Sequence, residues 1–293
     1  MLETDNYEKF KKDILALAKI DLNSYKEKQM RRRINTLITK NHIATYDEYV
    51  ALIKKDKEKF EQFINFLTIN VSEFYRNPDQ WKILENEVFP KLIQKFGKNL
   101  KIWSAACSTG DEPYSLVMAL SRHLPLANIK VIATDIDKQV IDTARMGLYN
   151  EKSIASVPDD LKKKYFTKVG NSYQISDEIK KRVEFKEHDL LKDPYPGGCN
   201  LIVCRNVVIY FTEEAKDEIY AKFYKALATG GVLLFRFIFK RTFLDLTESG
   251  RADNCERTLI VGAGNAGRMV LTEIQNAVYD ENSPARNLMR SEE

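Results

Sequence analysis

Cysteine and histidine are scarce in this chain, four and three among 293 residues. Cys107, Cys199, Cys204 and Cys255 are scattered, with no CxxC pair and no histidine at ligand spacing. Such a pattern offers neither a disulfide framework nor a zinc site, so a reduced, cytoplasmic protein without a bound metal is expected. No apolar run approaches the roughly 20 residues that span a bilayer, which argues against direct membrane insertion. The opening residues, MLETDNYEKF, lack the apolar stretch of a signal peptide, and the Asn70-Val71-Ser72 sequon is then read as coincidence. A dominant charge sign is missing too. Lys+Arg 46 against Asp+Glu 42 leaves +4, so bulk charge does not call for nucleic acid.

What is present divides into two patterns. Up to about residue 95 the periodicity is helical. Phe10, Ile14, Leu17 and Ala18 form one apolar stripe, and Met30, Ile34, Leu37 and Ile38 a second. Thr45 with Glu48 makes a capping-box pattern before a third helix; Phe60, Phe63, Ile64 and Leu67 mark a fourth. Asn77, Pro78 and Gln80 read as a cap, a first-turn proline and a reaching amide that start another helix. From Leu100 strands and helices alternate: strands near 100–106, 130–136, 183–189, 201–207 and 232–235, helices near 113–122, 138–145 and 212–228. Gly230-Gly231 is read as the stop of the last helix. This order implies a doubly wound, mostly parallel sheet. The stretch 146–182 is too long for a plain crossover and holds a hairpin around Gly170-Asn171, an insertion on the main sheet.

The segment LKIWSAACSTGDEPY, residues 100–114, carries most information. It reads as a strand, a small-residue turn at Ser108-Thr109-Gly110 and a helix opened by Pro113. In open α/β sheets that edge is where ligands bind. Bare amides at a helix start favour pyrophosphate, but Asp111-Glu112 sits there and suits a cation. S-adenosylmethionine, with an ammonium and a sulfonium and no phosphate, fits that charge.

Further candidates lie at other strand ends. Asp135 can accept both hydroxyls of a ribose; its bland alternative is a helix cap, a task Asp137 can perform. Asp189 could meet an adenine amino group or be an ordinary strand-end polar residue. Arg205 and Asn206, after Cys204, must face the crevice, since burying either unpaired is costly. Tyr210 is either ordinary packing or a hydroxyl within reach of the transferred methyl.

At these residues the chain closely resembles the chemotaxis receptor methyltransferases, the CheR family, over residues 7–235. INVSEFYRN, WSAACSTGDEPYS, ATDID and LIVCRNVVIYF occur in the family's order. The resemblance implies a helical receptor-docking domain over 1–75 and a Rossmann-like methyltransferase domain over 76–240, with 146–182 as a small β insertion. It implies S-adenosyl-L-methionine as donor, S-adenosyl-L-homocysteine as product, and glutamates on the cytoplasmic coiled coil of a chemoreceptor as acceptors. By motif position, Asn70, Ser72 and Arg76 would line the cofactor pocket. Glu112 would bind the methionine ammonium, Asp135 the ribose, Asp189 and Leu190 the adenine, while Arg205 and Asn206 close the pocket. Arg76 and Tyr210 would stand near the transferring methyl. The family often has Asn where this chain has Asp189. On the helix over 26–40, Lys28, Arg31 and Arg32 would dock the receptor; the alternative is a solvated face. Some relatives dock a receptor's C-terminal pentapeptide on the β insertion, and the short hairpin turn here points to docking without it.

After Phe235 the family pattern stops. Relatives continue into a closing antiparallel pair of strands. This chain instead carries an atypical, truncated C-terminus over 241–293, with Thr258–Val261 followed by Gly262-Ala263-Gly264-Asn265-Ala266-Gly267. Residues 255–280 resemble a fragment of polysaccharide-biosynthesis nucleotide-sugar epimerases and dehydratases. One strand and one helix cannot build a dinucleotide site, so the sheet edge is expected to stand exposed unless the strand at 258–261 patches it. Two other functions remain open: a methyltransferase of RNA or small molecules, and a non-catalytic receptor- or cofactor-binding remnant. No aromatics interleave with the basic run as RNA stacking requires, so no nucleic-acid partner is expected.

Overall fold

The computed structural model describes residues 6–68, 70 and 72–234, together with the backbone of residues 258–260. Four helices come first: α1 (Tyr7–Ala18), α2 (Glu27–Lys40), α3 (Tyr46–Lys55) and α4 (Lys57–Thr68). Their apolar stripes meet in one core that includes Phe10, Ile14, Met30, Ile34, Leu37, Tyr46, Tyr49 and Phe63. Thr45 caps α3 by accepting a hydrogen bond from the Glu48 amide at 3.2 Å, and Glu48 reaches back to the Ala44 amide at 3.4 Å. Satisfying these first-turn donors fixes where α3 starts.

Helix α5 (Pro78–Ile83) runs through a π-helical turn, Leu84–Val88, into α6 (Phe89–Phe96). Pro78 opens α5 as expected, but Asn77 does not cap it. Its backbone is left-handed, φ 62°, and its side chain makes no capping bond. Gln80 is buried, and its Oε1 accepts from Arg205 Nη2 at 3.4 Å.

The chain then alternates through β1 (Ile102–Ala105), α7 (Asp111–Leu120), β2 (Val131–Asp135), α8 (Lys138–Met146), β3 (Leu148–Asn150), α9 (Asp159–Tyr165), β4 (Phe166–Val169), β5 (Ser172–Ile175), α10 (Asp177–Lys180), β6 (Val183–Glu187), β7 (Cys199–Val203), α11 (Glu213–Ala226), β8 (Leu227–Leu234) and β9 (Thr258–Ile260). The main sheet has the order β6-β2-β1-β7-β8-β9, with every pair parallel. Strands on both sides of β1 follow it in the chain, so the order reverses between β1 and β7. That reversal opens a crevice at the carboxyl ends of the strands.

Three expectations change. Helix α7 begins at Asp111, two residues before Pro113, because Gly110 at φ 88° takes the N-cap and sets the acidic pair inside the first turn. Helix α11 ends at Ala226, and Gly230-Gly231 lie within β8. There Cys199 pairs with Leu227 but Leu201 with Val232, a bulge that Gly230 accommodates at φ 77°. The insertion forms its own antiparallel sheet, β3-β5-β4, with Gly170-Asn171 as the two-residue turn. The β8 edge is covered: β9 pairs with it from Val232–Thr258 to Leu234–Ile260, in parallel. The glycine motif at 262–267 and the rest of the tail lie outside the described residues. Among those residues no helix is long and apolar enough to cross a membrane.

Phe63 is fully buried between Phe10 and Tyr49. Phe63→Ala should destabilise the helical domain by about 3–5 kcal/mol, read as a lower chemical-denaturation midpoint followed by far-UV dichroism.

Candidate active site

Three of the segments that wall the crevice are the loop after β1, the loop after β7, and the linker between α4 and α5. They hold five of the seven non-glycine residues with left-handed backbone among those described: Tyr75, Asn77, Ala106, Ser108 and Asn206. Strained backbone of this kind persists only where its surroundings over-determine it. At Gly110 no other residue fits, since a Cβ would stand 2.8 Å from the Ala144 Cβ. The cavity so formed is open to solvent.

The acidic pair at the head of α7 splits. Glu112 lines the cavity, accepts a hydrogen bond from the Ser104 hydroxyl at 2.8 Å and stands 3.8 Å from Arg205 Nε. Burial raises its pKa, opposed by Arg205, Ser104 and Arg76. Asp111 does not join Glu112 at the cavity wall. It is buried against the Thr109 hydroxyl, 2.6 Å away, and burial raises its pKa while Thr109 and Ser72 hold it down. The paired acidic rim expected from sequence is therefore a single carboxylate at this point, because only the second helical residue faces β1.

Asp135 ends β2 with its carboxylate accepting from the Ser108 amide at 2.8 Å and the Asp137 amide at 3.0 Å. Burial still pushes its pKa up to about 6. Asp137 caps α8, accepting from the Gln139 amide at 2.9 Å. Asn70 donates to that Asp137 carboxylate at 2.8 Å, tying the linker to α8. Asp189 accepts from the Leu191 amide at 2.8 Å and stands 3.5 Å from Lys192; Asp189 and buried Leu190 both line the cavity.

Arg205 is 8% exposed, and its Nη2 donates to the Arg76 carbonyl at 2.7 Å and to Gln80 Oε1 at 3.4 Å. The Trp81 indole N–H donates to the same carbonyl at 3.2 Å. With its amide oxygen turned to Arg76, Asn206 accepts from the guanidinium at 3.1 and 3.3 Å. Tyr210 lines the cavity from a 3-10 turn, Val208–Tyr210.

The fold thus gathers Asn70, Ser72, Arg76, Glu112, Asp135, Asp189, Leu190, Arg205, Asn206 and Tyr210 around one cavity. Lys28, Arg31 and Arg32 do not line it; they border a shallow groove along α2. Lys28 and Arg32 are exposed there, whereas Arg31 is half-buried with its guanidinium 4.9 Å from the Tyr7 ring centre. Sequence reasoning missed Tyr25, Glu73, Trp81 and His188 as lining residues. Glu73 lies inside INVSEFYRN, and a reading of the whole motif would have found it. Tyr25 comes from the helical domain and carries no local signal.

Glu73, Glu112, Asp135 and Asp189 face two guanidiniums, Arg76 and Arg205, while burial lowers the His188 pKa and keeps it neutral near pH 7. The wall is net negative. It fits a donor with two positive centres and no phosphate, and Asp135 suits a vicinal diol. Among the described residues no cluster of His, Cys, Asp and Glu could hold a metal.

Residues 70–235 match the family described as CheR methyltransferase, SAM binding domain, and residues 5–68 match CheR methyltransferase, all-alpha domain. The chain is 42% identical over 214 residues to a chemotaxis protein methyltransferase of Listeria innocua, covering 73% of this chain and 82% of that one. The same figures hold for a chemotaxis protein methyltransferase of Listeria monocytogenes. A third, from Borreliella burgdorferi, is 31% identical over 228 residues, covering 73% and 81%. The cofactor is S-adenosyl-L-methionine.

An ionised Asp135 carboxylate can accept from two hydroxyls at once and a protonated one cannot, so with a ribose placed there product affinity should fall as pH drops below about 6. The expected limit is about tenfold per pH unit in calorimetric titrations with S-adenosyl-L-homocysteine. Asp135→Asn should bind weakly at pH 8 and lose that dependence; a wild-type affinity that stays flat from pH 5 to 8 contradicts it.

Proposed function

The chain belongs to the CheR methyltransferase family, and we propose that it methylates glutamate side chains on the cytoplasmic coiled coil of chemoreceptors, giving glutamyl methyl esters. The carrying observation is a net acidic cavity with one half-exposed guanidinium, Arg76, held by Asn206 on its wall. An acidic wall suits the donor, and the fixed cation suits a carboxylate acceptor.

The bound donor supplies an electrophilic methyl carbon on a cationic sulfur. Asp135 holds the ribose, Asp189 and Leu190 flank the adenine, and Glu112 takes the ammonium. Asn70 and Ser72 wall the pocket from the linker, while Arg205 and Asn206 close it. Arg76 orients the incoming carboxylate, and Tyr210 stands at the methyl end. A glutamate is already ionised near neutral pH, so no side chain need remove a proton. The protein's task is alignment, which is worth several orders of magnitude in rate. Lys28, Arg31 and Arg32 meet the acidic surface of the receptor on α2, and such a receptor domain places the reaction in the cytoplasm.

Incubation with methyl-labelled donor and a chemoreceptor cytoplasmic fragment should leave label that base releases as volatile methanol. Base-stable label, or none, refutes the ester. Arg76→Ala should cut transfer by about 100-fold while weakening product binding far less; equal losses would confine Arg76 to cofactor binding. Replacing Lys28, Arg31 and Arg32 together by Ala should lower kcat/KM for the receptor and flatten its salt dependence, with product affinity unchanged.

A further inference from the structure

The Tyr25 side chain reaches the donor cavity from the helical domain, as Leu67 and Thr68 do, and has no part in the roles above. The loop before α2 and the turn after β7 run antiparallel. The Lys26 amide donates to the Tyr210 carbonyl at 2.9 Å, and the Thr212 amide donates to the Ser24 carbonyl at 2.9 Å. Between those bonds Tyr25 bridges Phe211. The two rings lie 4.8 Å apart at 37°, and both line the cavity. This clip fixes the backbone of Tyr25 on both sides and packs its ring, so the phenol is presented in one place.

It lines the same cavity as Asp135, Asp189 and Leu190, the residues assigned above to the adenosyl end. Burial raises the pKa of the Tyr25 hydroxyl, and so do the nearby carboxylates of Asp189 and then Asp135. The phenol therefore keeps its proton at neutral pH and remains a donor. Among the described residues neither carboxylate receives a hydrogen bond from the Tyr25 hydroxyl: Asp189 accepts from the Leu191 amide, and Asp135 from the amides of Ser108 and Asp137. A protonated phenol beside them is placed to donate to a ligand.

We infer that Tyr25 belongs to the adenosyl subsite, donating a hydrogen bond to an acceptor on the nucleoside, so that the helical domain forms part of the cofactor site. The inference rests on the placement of ribose and adenine at Asp135 and Asp189.

Two probes test it on the full chain by titration calorimetry: S-adenosyl-L-homocysteine, and 5′-methylthioadenosine, which lacks the amino-acid tail. Tyr25→Phe keeps the ring against Phe211 and removes only the hydroxyl. It should weaken both probes by about 3- to 10-fold, the value of one hydrogen bond, with the unliganded melting temperature unchanged. Glu112→Gln should weaken the tailed probe alone. The ligand-induced rise in melting temperature, read on the same variants, ranks them independently of basal stability. Wild-type affinity of Tyr25→Phe for both probes overturns the inference, as does a loss confined to the tailed one. Failure of the wild-type chain to bind either probe would instead sink the cofactor placement itself.

Discussion

A buried guanidinium organises this site. Arg205 follows β7, yet its partners come from three other segments: Glu112 at the head of α7, the Arg76 carbonyl in the linker, and Gln80 in α5. Trp81 lies beneath it, the ring centre 5.9 Å from the guanidinium carbon. Taking such a charge out of water costs several kcal/mol, and a buried ion pair seldom returns more than that. The pair is therefore better understood as a spacer than as a source of stability. It fixes the distance between the β1 and β7 loops and holds the linker across the crevice, so Arg76 arrives at the wall with its backbone already pinned.

The acids pay in the other direction. Asp135 and Glu112 are each raised in pKa by burial, so the folded, ligand-free protein holds both carboxylates at a penalty. A ligand that brings hydroxyl donors to one and a cation to the other relieves it. The left-handed residues Ala106, Ser108 and Asn206 belong to the same pattern. They aim backbone amides and side chains into the crevice at a local cost that the packed sheet beneath sustains.

Legibility from sequence followed chemistry closely and geometry loosely. Strand β1, the turn to α7, and the loop after β7 could be located because small, acidic and amide residues at strand ends have few other uses. The division of labour between Asp111 and Glu112 could not, since it depends on where α7 begins, and Gly110 rather than Pro113 decides that. Asn77 carried a good capping signal and instead adopted a left-handed backbone beside Arg76. Gly230-Gly231 looked like a helix stop but serves a register slip between β7 and β8. In each case a tertiary demand overrode a local preference. The strand at 258–261 and its docking on the sheet edge were raised from the sequence, whereas its parallel register against β8 left no local trace.

The clip at residues 24–26 and 210–212 bears on how the two halves act together. Tyr210 is held through its carbonyl by Lys26, and α2 begins at the next residue, Glu27. The helix that carries Lys28 and Arg32 is therefore joined, by a single peptide bond, to the segment that fixes Tyr210. Arg33 anchors the same helix to the domain core, its guanidinium 4.7 Å from the Phe66 ring centre while Nη2 donates to the Phe66 carbonyl. The two domains thus share a strand-like contact at the cavity wall, beside Tyr25 and Ile136, which pack between their cores.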